Sequence, residues 1–326
     1  MNISDISVTT IITTYNRFEY AKRAIKSVIS QSCPCKEIIV VEDSGDSGIA
    51  EWIRLQNRKD IIYFRQTSNK GLASARNTGL KIAKGDLIAY LDDDDEWLST
   101  RIEEQLKLYL ALDNVEKTKL GCIQVGCQII DENGKCISHG IPENEGQLRS
   151  SIMKLGVITH SSCFMFTKKA LIEIDGFDEE LGSGIDHDIW MKLAVNNYSN
   201  KIIAQPLVTV YMDDRATMMT DTRQRVLGIN KYTEKWTPTY QEWFGNKKGE
   251  FFAKKYFILV IGGLAGIKFS NKSYREGLFA TNQVFQRAVW NVSLMSYAFF
   301  RIIRVYVYHY FPSIRGIKKI FLGTNN

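Results

Sequence analysis

Over the first hundred residues the apolar and polar positions fall into blocks, and the period changes from block to block. ISVTTIITTYN (6–16) is β-branched and nearly continuous, the pattern of a parallel strand buried on both faces. RFEYAKRAIKSVISQ then places apolar residues at Tyr20, Ala24, Ile25 and Val28, one stripe of a helix. KEIIVVEDSGDSG reads as a second strand that breaks into a loop of Gly, Asp and Ser. GIAEWIRLQN reads as a helix, DIIYFRQ as a third strand, LASARNTGLKIA as a third helix and GDLIAYLDDDD as a fourth strand. Alternating strands and helices predict an α/β fold, a mostly parallel sheet with helices on both faces. Ligands in such sheets lie at the carboxyl ends of the strands. Here those ends carry Thr13-Thr14-Tyr15-Asn16, Glu42-Asp43 and Asp92 to Asp95.

The four consecutive aspartates need a partner. Carboxylates stacked behind a buried strand are costly unless hydrogen bonds or a cation compensate them. No GxGxxG follows the first strand and no GxxxxGK[ST] occurs, so the two common backbone cradles for phosphate are missing. An acidic strand end binds phosphate through a bridging divalent cation. Carboxylate oxygens suit Mg²⁺ or Mn²⁺, and such an ion neutralises a departing diphosphate.

Composition narrows the setting. The chain has 326 residues, 44% hydrophobic and 24% charged, enough for one large domain or one domain with an appendage. Its six cysteines lack the paired CxxC spacing of a structural zinc site and read as reduced thiols, with Cys33-Pro34-Cys35 incidental. MNISDISVTT lacks the basic head and apolar run expected of a secretory signal. The longest apolar stretch, YFILVIGGLAGI (256–267), rises only ~18 Å as a helix, against ~30 Å of hydrocarbon core. Residues 251–326 hold eleven Lys and Arg and one acid, Glu276, a net +10 in a chain of +6; residues 1–250 therefore carry −4. Opposite signs predict two regions with different work: a catalytic domain over 1–220 and a helical, basic and aromatic region over 221–326.

At this point the residues resemble the family 2 glycosyltransferases, inverting enzymes with the nucleotide-sugar-binding fold called GT-A, among them those of bacterial O-antigen and capsule synthesis. IITTYNR, VVEDSGDSG, NKGLASARNTGLKIAKGDLIAYLDDDDEW, IEIDGFDEEL and GIDHDIWMKLA follow one another in the family's order. The resemblance implies that Thr13 and Asp43 contact the nucleoside, with Asp43 accepting from a uracil ring and Tyr15 lining the pocket. It implies that Arg76 sits near the base or diphosphate. Asp92 and Asp94 would form the DXD pair, with Asp93 facing the ribose and Asp94 the direct ligand of Mn²⁺ or Mg²⁺. Asp186 would be the general base and Gly176-Phe177-Asp178 part of the acceptor side. The chain departs from the family pattern at Glu42, where Asp is usual, and at Ile185, where Glu usually precedes the catalytic Asp. Asp188 is the rival base, and Asp214 falls where the family often has His.

Each residue also has a plainer reading: Asp186 as a helix N-cap, Asp43 shaping an Asx-turn, Arg76 as a surface arginine, the aspartates as a solvated turn. Inversion at a sugar's anomeric carbon needs a base for the acceptor hydroxyl and a cation for the leaving diphosphate. The expected function is therefore transfer of a sugar from a nucleotide donor, UDP-linked, to a glycan. Nucleotidyl transfer and non-catalytic nucleotide-sugar binding are the alternatives. In the basic region, SYAFFRIIRVYVYHYF suits a helix at the headgroup level with Arg301 and Arg304 toward anionic lipid. Packing on the catalytic domain or oligomerisation would give the same pattern; nucleic acid is not expected, since no binding motif accompanies it. A membrane-facing tail fits an acceptor on a polyprenyl-diphosphate lipid, and a cytoplasmic protein held peripherally at the inner face of the plasma membrane.

Overall fold

The computed structural model describes residues 5–153, 160–211 and 221–310. Asp214 and the basic residues Arg315, Lys318 and Lys319 lie outside the described residues. The described residues fall into two compact units, one within Met1–Glu180 and Ile185–Asp214, the other within Leu181–Gly184 and Arg215–Asn326.

The first unit opens β1 (Val8–Thr14), α1 (Phe18–Ile29), β2 (Glu37–Glu42), α2 (Ile49–Leu55), β3 (Ile61–Arg65), α3 (Leu72–Ile82) and β4 (Leu87–Asp92). Every residue of β1 and β2 is buried, which is why their sequences run apolar without alternation. α1 turns Ala21, Ala24, Ile25 and Val28 inward. α3 lies so close to β1 that a Cβ on Gly79 would stand 2.5 Å from Ile11 Cγ2. The unit continues through β5 (Asp95–Trp97), α4 (Arg101–Ala111), α5 (Asn114–Lys119), β6 (Leu120–Ile130), β7 (Cys136–Gly140), β8 (Gly146–Gln147) and α6 (Leu148–Met153). A 3₁₀ turn at Ser161–Cys163 leads into β9 (Phe164–Thr167), α7 (Lys168–Glu173), α8 (Ile185–Val195) and β10 (Ser199–Tyr211).

The sheet order is β3-β2-β1-β4-β9-β6-β10-β5, with β7 beside β6 and β8 beside β10. The β3-β2-β1-β4 half is parallel, as the alternation of elements predicts. Beyond β4 the sheet is mixed: β9 runs antiparallel to both β4 and β6, while β6 and β10 are parallel. The fourth strand is shorter than its apolar run plus aspartates suggests. It stops at Asp92, the chain turns through Asp93 and Asp94, and Asp95 begins β5, which pairs antiparallel with β10.

The second unit is helical: α9 (Thr222–Phe244), α10 (Asn246–Ser270), α11 (Tyr274–Ala288) and α12 (Val292–Tyr310), with α10 packed against the other three. The apolar stretch read from sequence lies inside α10 and buries Tyr256, Phe257, Ile258, Ile261, Leu264 and Ala265. Gly262, Gly263 and Gly266 on α10 make a groove for α12; a Cβ on Gly266 would meet the Ile302 carbonyl at 2.7 Å. Arg301, Ile302 and Val305 of α12 lie against these glycines, and Leu294, Ala298 and Ile302 are buried. Arg301, expected to point toward lipid, turns inward instead: its Nε donates to the Leu259 carbonyl at 3.0 Å. Glycine spacing on a different helix decides that orientation. Among the described residues no helix is long and apolar enough to cross a membrane.

Candidate active site

Register brings the polar strand ends together. Thr13 on β1 lies opposite Asp92 on β4, and Thr14 lies opposite Glu42 on β2. The chain leaves these strands sharply, with φ of 52° at Asn16, 67° at Ser44 and 79° at Gly45. Left-handed backbone at non-glycine residues costs ~1 kcal/mol or more each and concentrates at functional sites. A side chain at Gly45 has no room, since its Cβ would meet Asn16 Oδ1 at 2.0 Å.

Asp43 is buried, and its two oxygens accept from the backbone N–H groups of Lys70 and Gly71 at 2.8 and 2.7 Å. It therefore clamps the entry to α3 rather than shaping a local turn. Glu42, with one methylene more than the usual Asp, is wholly buried and accepts from Tyr63 Oη at 2.6 Å and the Ser47 N–H at 3.0 Å. Thr13 is buried and Tyr15 is exposed.

Arg76, 1% exposed, is no surface residue. Its Nη1 donates to Asp186 Oδ1 at 2.8 Å; its Nη2 donates to Asp92 Oδ1 at 2.7 Å and to Ser161 Oγ at 2.8 Å. The guanidinium also lies over the rings of Phe177, at 5.1 Å, and Tyr90, at 5.7 Å. Burial alone would push this group down, but the carboxylates of Asp92 and Asp186 outweigh it and raise its pKa. The second Asp92 oxygen accepts from Ser161 Oγ at 2.7 Å. Burial pushes the Asp92 carboxyl up; Arg76 and Ser161 reverse this and hold it below the ordinary range.

The rest of the acidic turn is built differently. Asp93 is buried and accepts from Thr14 Oγ1 at 2.7 Å and Arg17 Nη1 at 3.1 Å. Its carboxyl is pushed up to about 6 by burial, which these partners only partly offset. Asp95 is buried against Ser162 Oγ at 2.5 Å, and burial with the neighbouring Asp92 and Asp94 carries it well above the carboxylate range. Asp94, 3.2 Å from Arg17 Nη1, is as accessible as Asp92, their side chains 27% and 28% exposed. This is not a solvated turn. It is an anchored one that buries Asp93 and Asp95 and leaves Asp92 and Asp94 reached by solvent.

Asp186 stands in the first turn of α8, inside the helix rather than capping it, with its side chain 33% exposed. Asp188 is fully enclosed, 3.8 Å from Lys192 Nζ one turn along. The structure thus joins Asp92 and Asp186 through Arg76, and sets Asp188 apart. The Gly176-Phe177 segment is clasped by Asn77, whose Oδ1 accepts from the Phe177 N–H and whose Nδ2 donates to the Phe177 carbonyl, both at 2.9 Å. That clasp holds the ring beneath Arg76. Sequence reasoning named Thr14 only as part of a polar strand end and passed over Arg17, Ser161 and Ser162. Arg17 had a signal, a cation directly after the first strand's polar end; the serines had none, being about seventy residues from the carboxylates they serve.

Mg²⁺ and Mn²⁺ take hard oxygens, often one or two protein carboxylates completed by substrate phosphates. The partly exposed carboxylates of Asp92 and Asp94, two residues apart in one turn, fit such an ion. Among the described residues no three His, Cys, Asp or Glu side chains form a closed metal cage.

A mixed sheet with an acidic turn at the end of its central strand, tied through Arg76 to a facing carboxylate, defines the class as α/β with a carboxylate-lined site at the strand ends. The profile of Glycosyl transferase family 2 matches residues 9–174, just over half the chain. The chain belongs to that family. It is 35% identical over 204 residues to an uncharacterized glycosyltransferase of Rickettsia bellii, covering 60% of this chain and 29% of that protein. The chain thus spans under a third of that relative's length. It is 28% identical over 260 residues to an uncharacterized glycosyltransferase of Methanocaldococcus jannaschii, covering 78% of this chain and 86% of the other. Among solved structures it is similar in fold to S. aureus TarS 1-349 in complex with UDP-GlcNAc, with a TM-score of 0.62, 16% identity, and coverage of 95% of this chain and 92% of that one. Family membership favours glycosyl over nucleotidyl transfer.

Proposed function

We propose that this chain moves a sugar, with inversion, from a UDP-linked donor to a glycan carried on a polyprenyl-diphosphate lipid, in the synthesis of a bacterial surface polysaccharide. The observation that carries the reading is the Arg76 fork, which ties Asp92 in the acidic turn to Asp186 at the head of α8. One buried cation fixes the spacing between the diphosphate end of the site and a half-exposed carboxylate. Such spacing is what aligns a nucleophile with its leaving group.

In this reading Thr13, Tyr15 and Asp43 hold the nucleoside at the ends of β1 and β2, and Asp93 faces the ribose. Arg76 positions the carboxylates on either side of it. Asp94, with Asp92 behind it, would hold Mn²⁺ or Mg²⁺, which supplies positive charge to the departing diphosphate. Asp186 takes the proton of the acceptor hydroxyl as that oxygen attacks the anomeric carbon, and the bond to the UDP oxygen breaks. Asp188, enclosed and beside Lys192, holds α8 in place instead. The UDP-GlcNAc complex of TarS supports a UDP-sugar donor by likeness of fold. Residues 1–220 supply the catalysis, and residues 221–326 hold the protein peripherally on the inner face of the plasma membrane, where the lipid-linked acceptor lies.

The test is calorimetric titration with UDP, with and without Mn²⁺, on the parent and Asp94→Ala. The reading expects Mn²⁺-dependent binding that Asp94→Ala loses while its thermal unfolding is unchanged. UDP binding by Asp94→Ala at parental strength in Mn²⁺ overturns the metal assignment.

A further inference from the structure

Trp290 stands almost wholly in water, 96% exposed, and its backbone lies in the left-handed region at φ 63°. Both features oppose folding. A bulky residue resists that backbone, and an indole in water gains nothing from burial. Glycine would make this corner better. The corner is otherwise well built: the Asn291 N–H donates to the Ala288 carbonyl at 3.1 Å, and Asn291 Oδ1 accepts from the Leu294 N–H at 3.0 Å, capping α12. A firm turn between α11 and α12 thus holds out Trp290, with Val289 and Val292 exposed beside it.

The apolar surface continues along α12. Val292, Met295, Phe299 and Ile303, at helical spacing, are all exposed, although the neighbouring stripe of Leu294, Ala298 and Ile302 is already buried. An apolar stripe left exposed next to one already buried is covered by something. Charge indicates what. A cleft of about 450 Å³ is lined by Lys247, Lys248, Lys254, Phe251 and Asn291, the last being the residue after Trp290. Its carboxylate, Glu250, is paired with Lys254 at 2.8 Å. Lysines beside an exposed apolar stripe complement a surface that is apolar within and anionic at its rim. A second copy of the same face would set like charges together.

We propose that the α11–α12 corner seats the protein on an anionic lipid bilayer. Trp290, Val289 and Val292 enter the boundary between headgroups and acyl chains, where tryptophan is favoured. The outer stripe of α12 lies along that boundary, and Lys247, Lys248 and Lys254 receive the phosphate of an anionic headgroup. This rests on the membrane contact proposed above and names the residues that make it.

The experiment is flotation of the full chain with vesicles of phosphatidylcholine, alone or mixed with phosphatidylglycerol. The parent is expected to float with both, more strongly with the anionic mixture. Trp290→Gly should melt at a higher temperature and yet partition about tenfold less onto either vesicle. Lys247→Glu combined with Lys248→Glu should cut partitioning onto anionic vesicles by about tenfold or more and spare the neutral ones. Phe299→Gln, on the packed helix, should weaken binding with folding intact. A lower melting temperature for Trp290→Gly, or undiminished flotation, overturns the proposal. So does a parent that ignores vesicles but dimerises until Phe299→Gln separates it, since a second copy then covers the stripe. UDP release from a soluble UDP-sugar, measured on the same variants, should be unchanged. If no form releases UDP while flotation behaves as stated, the transferase mechanism fails and the membrane seat stands.

Discussion

At the scale of single residues, Arg76 organises the site, and its type is specific. A guanidinium fork can donate to Asp92, Asp186 and Ser161 at once, whereas an ammonium is a point charge. Arg76→Ala leaves two carboxylates uncompensated and should destabilise the protein by about 3 kcal/mol, since breaking a buried pair typically costs ~3–5 kcal/mol and these carboxylates are partly exposed. Arg76→Lys should recover less than half of that in denaturant melts; full recovery would show that charge alone matters. Asp186→Asn should bind UDP normally yet lose ~10²–10⁴ in turnover, the usual worth of a positioned base. Asp188→Asn should act in the opposite way, lowering stability more than turnover. If Asp188→Asn is the inactive, well-folded form, the base is two residues along.

The cysteines make a separate check. Cys35 is buried, and its thiol is pushed up to about 11 by burial; Cys136 is exposed. Iodoacetamide at neutral pH should label Cys136 first and leave Cys35 untouched until the protein unfolds.

At the scale of elements, β1 to β4 and α1 to α3 were legible because each keeps one period for its whole length. β1 and β2 are buried throughout, so their apolar runs have no competing reading. The turn at Asp93 and Asp94 was not legible, because four identical residues carry no period; pairing of β5 with β10, more than a hundred residues away, makes the break. The serine contacts of Asp92 and Asp95 were hidden for the same reason. What the chain's local order did show was which residues end strands, and the register of β1 with β2 and β4 turned that into a site. The close approach of α3 to β1 can be tested: Gly79→Ala sets a methyl 2.5 Å from Ile11 Cγ2. Overpacking of that kind typically costs ~1–3 kcal/mol, and it should weaken UDP binding as well, because α3 carries Arg76. A Gly79→Ala protein as stable as the parent would mean that α3 shifts freely on the sheet.

At the scale of the molecule, charge separates residues 1–250, net −4, from 251–326, net +10. That asymmetry was readable from composition; the packing of α12 was not, since the groove that receives it is set by Gly262, Gly263 and Gly266 on another helix. The packing changes how membrane contact should be probed. Removing residues 290–326 would strip Leu294, Ala298 and Ile302 from the core of the helical unit, so loss of vesicle binding by that truncation would report unfolding. Point changes at the exposed corner avoid this.

The central claim is transfer of a sugar from a UDP-linked donor by a metal-assisted site. It is tested most directly by incubating the full chain with a panel of UDP-sugars, with and without Mn²⁺, and measuring what is released. The account predicts Mn²⁺-dependent release of UDP from one or a few donors, lost in Asp94→Ala and in Asp186→Asn. Release of inorganic diphosphate in place of UDP, or tight donor binding with no release from any donor, would contradict it.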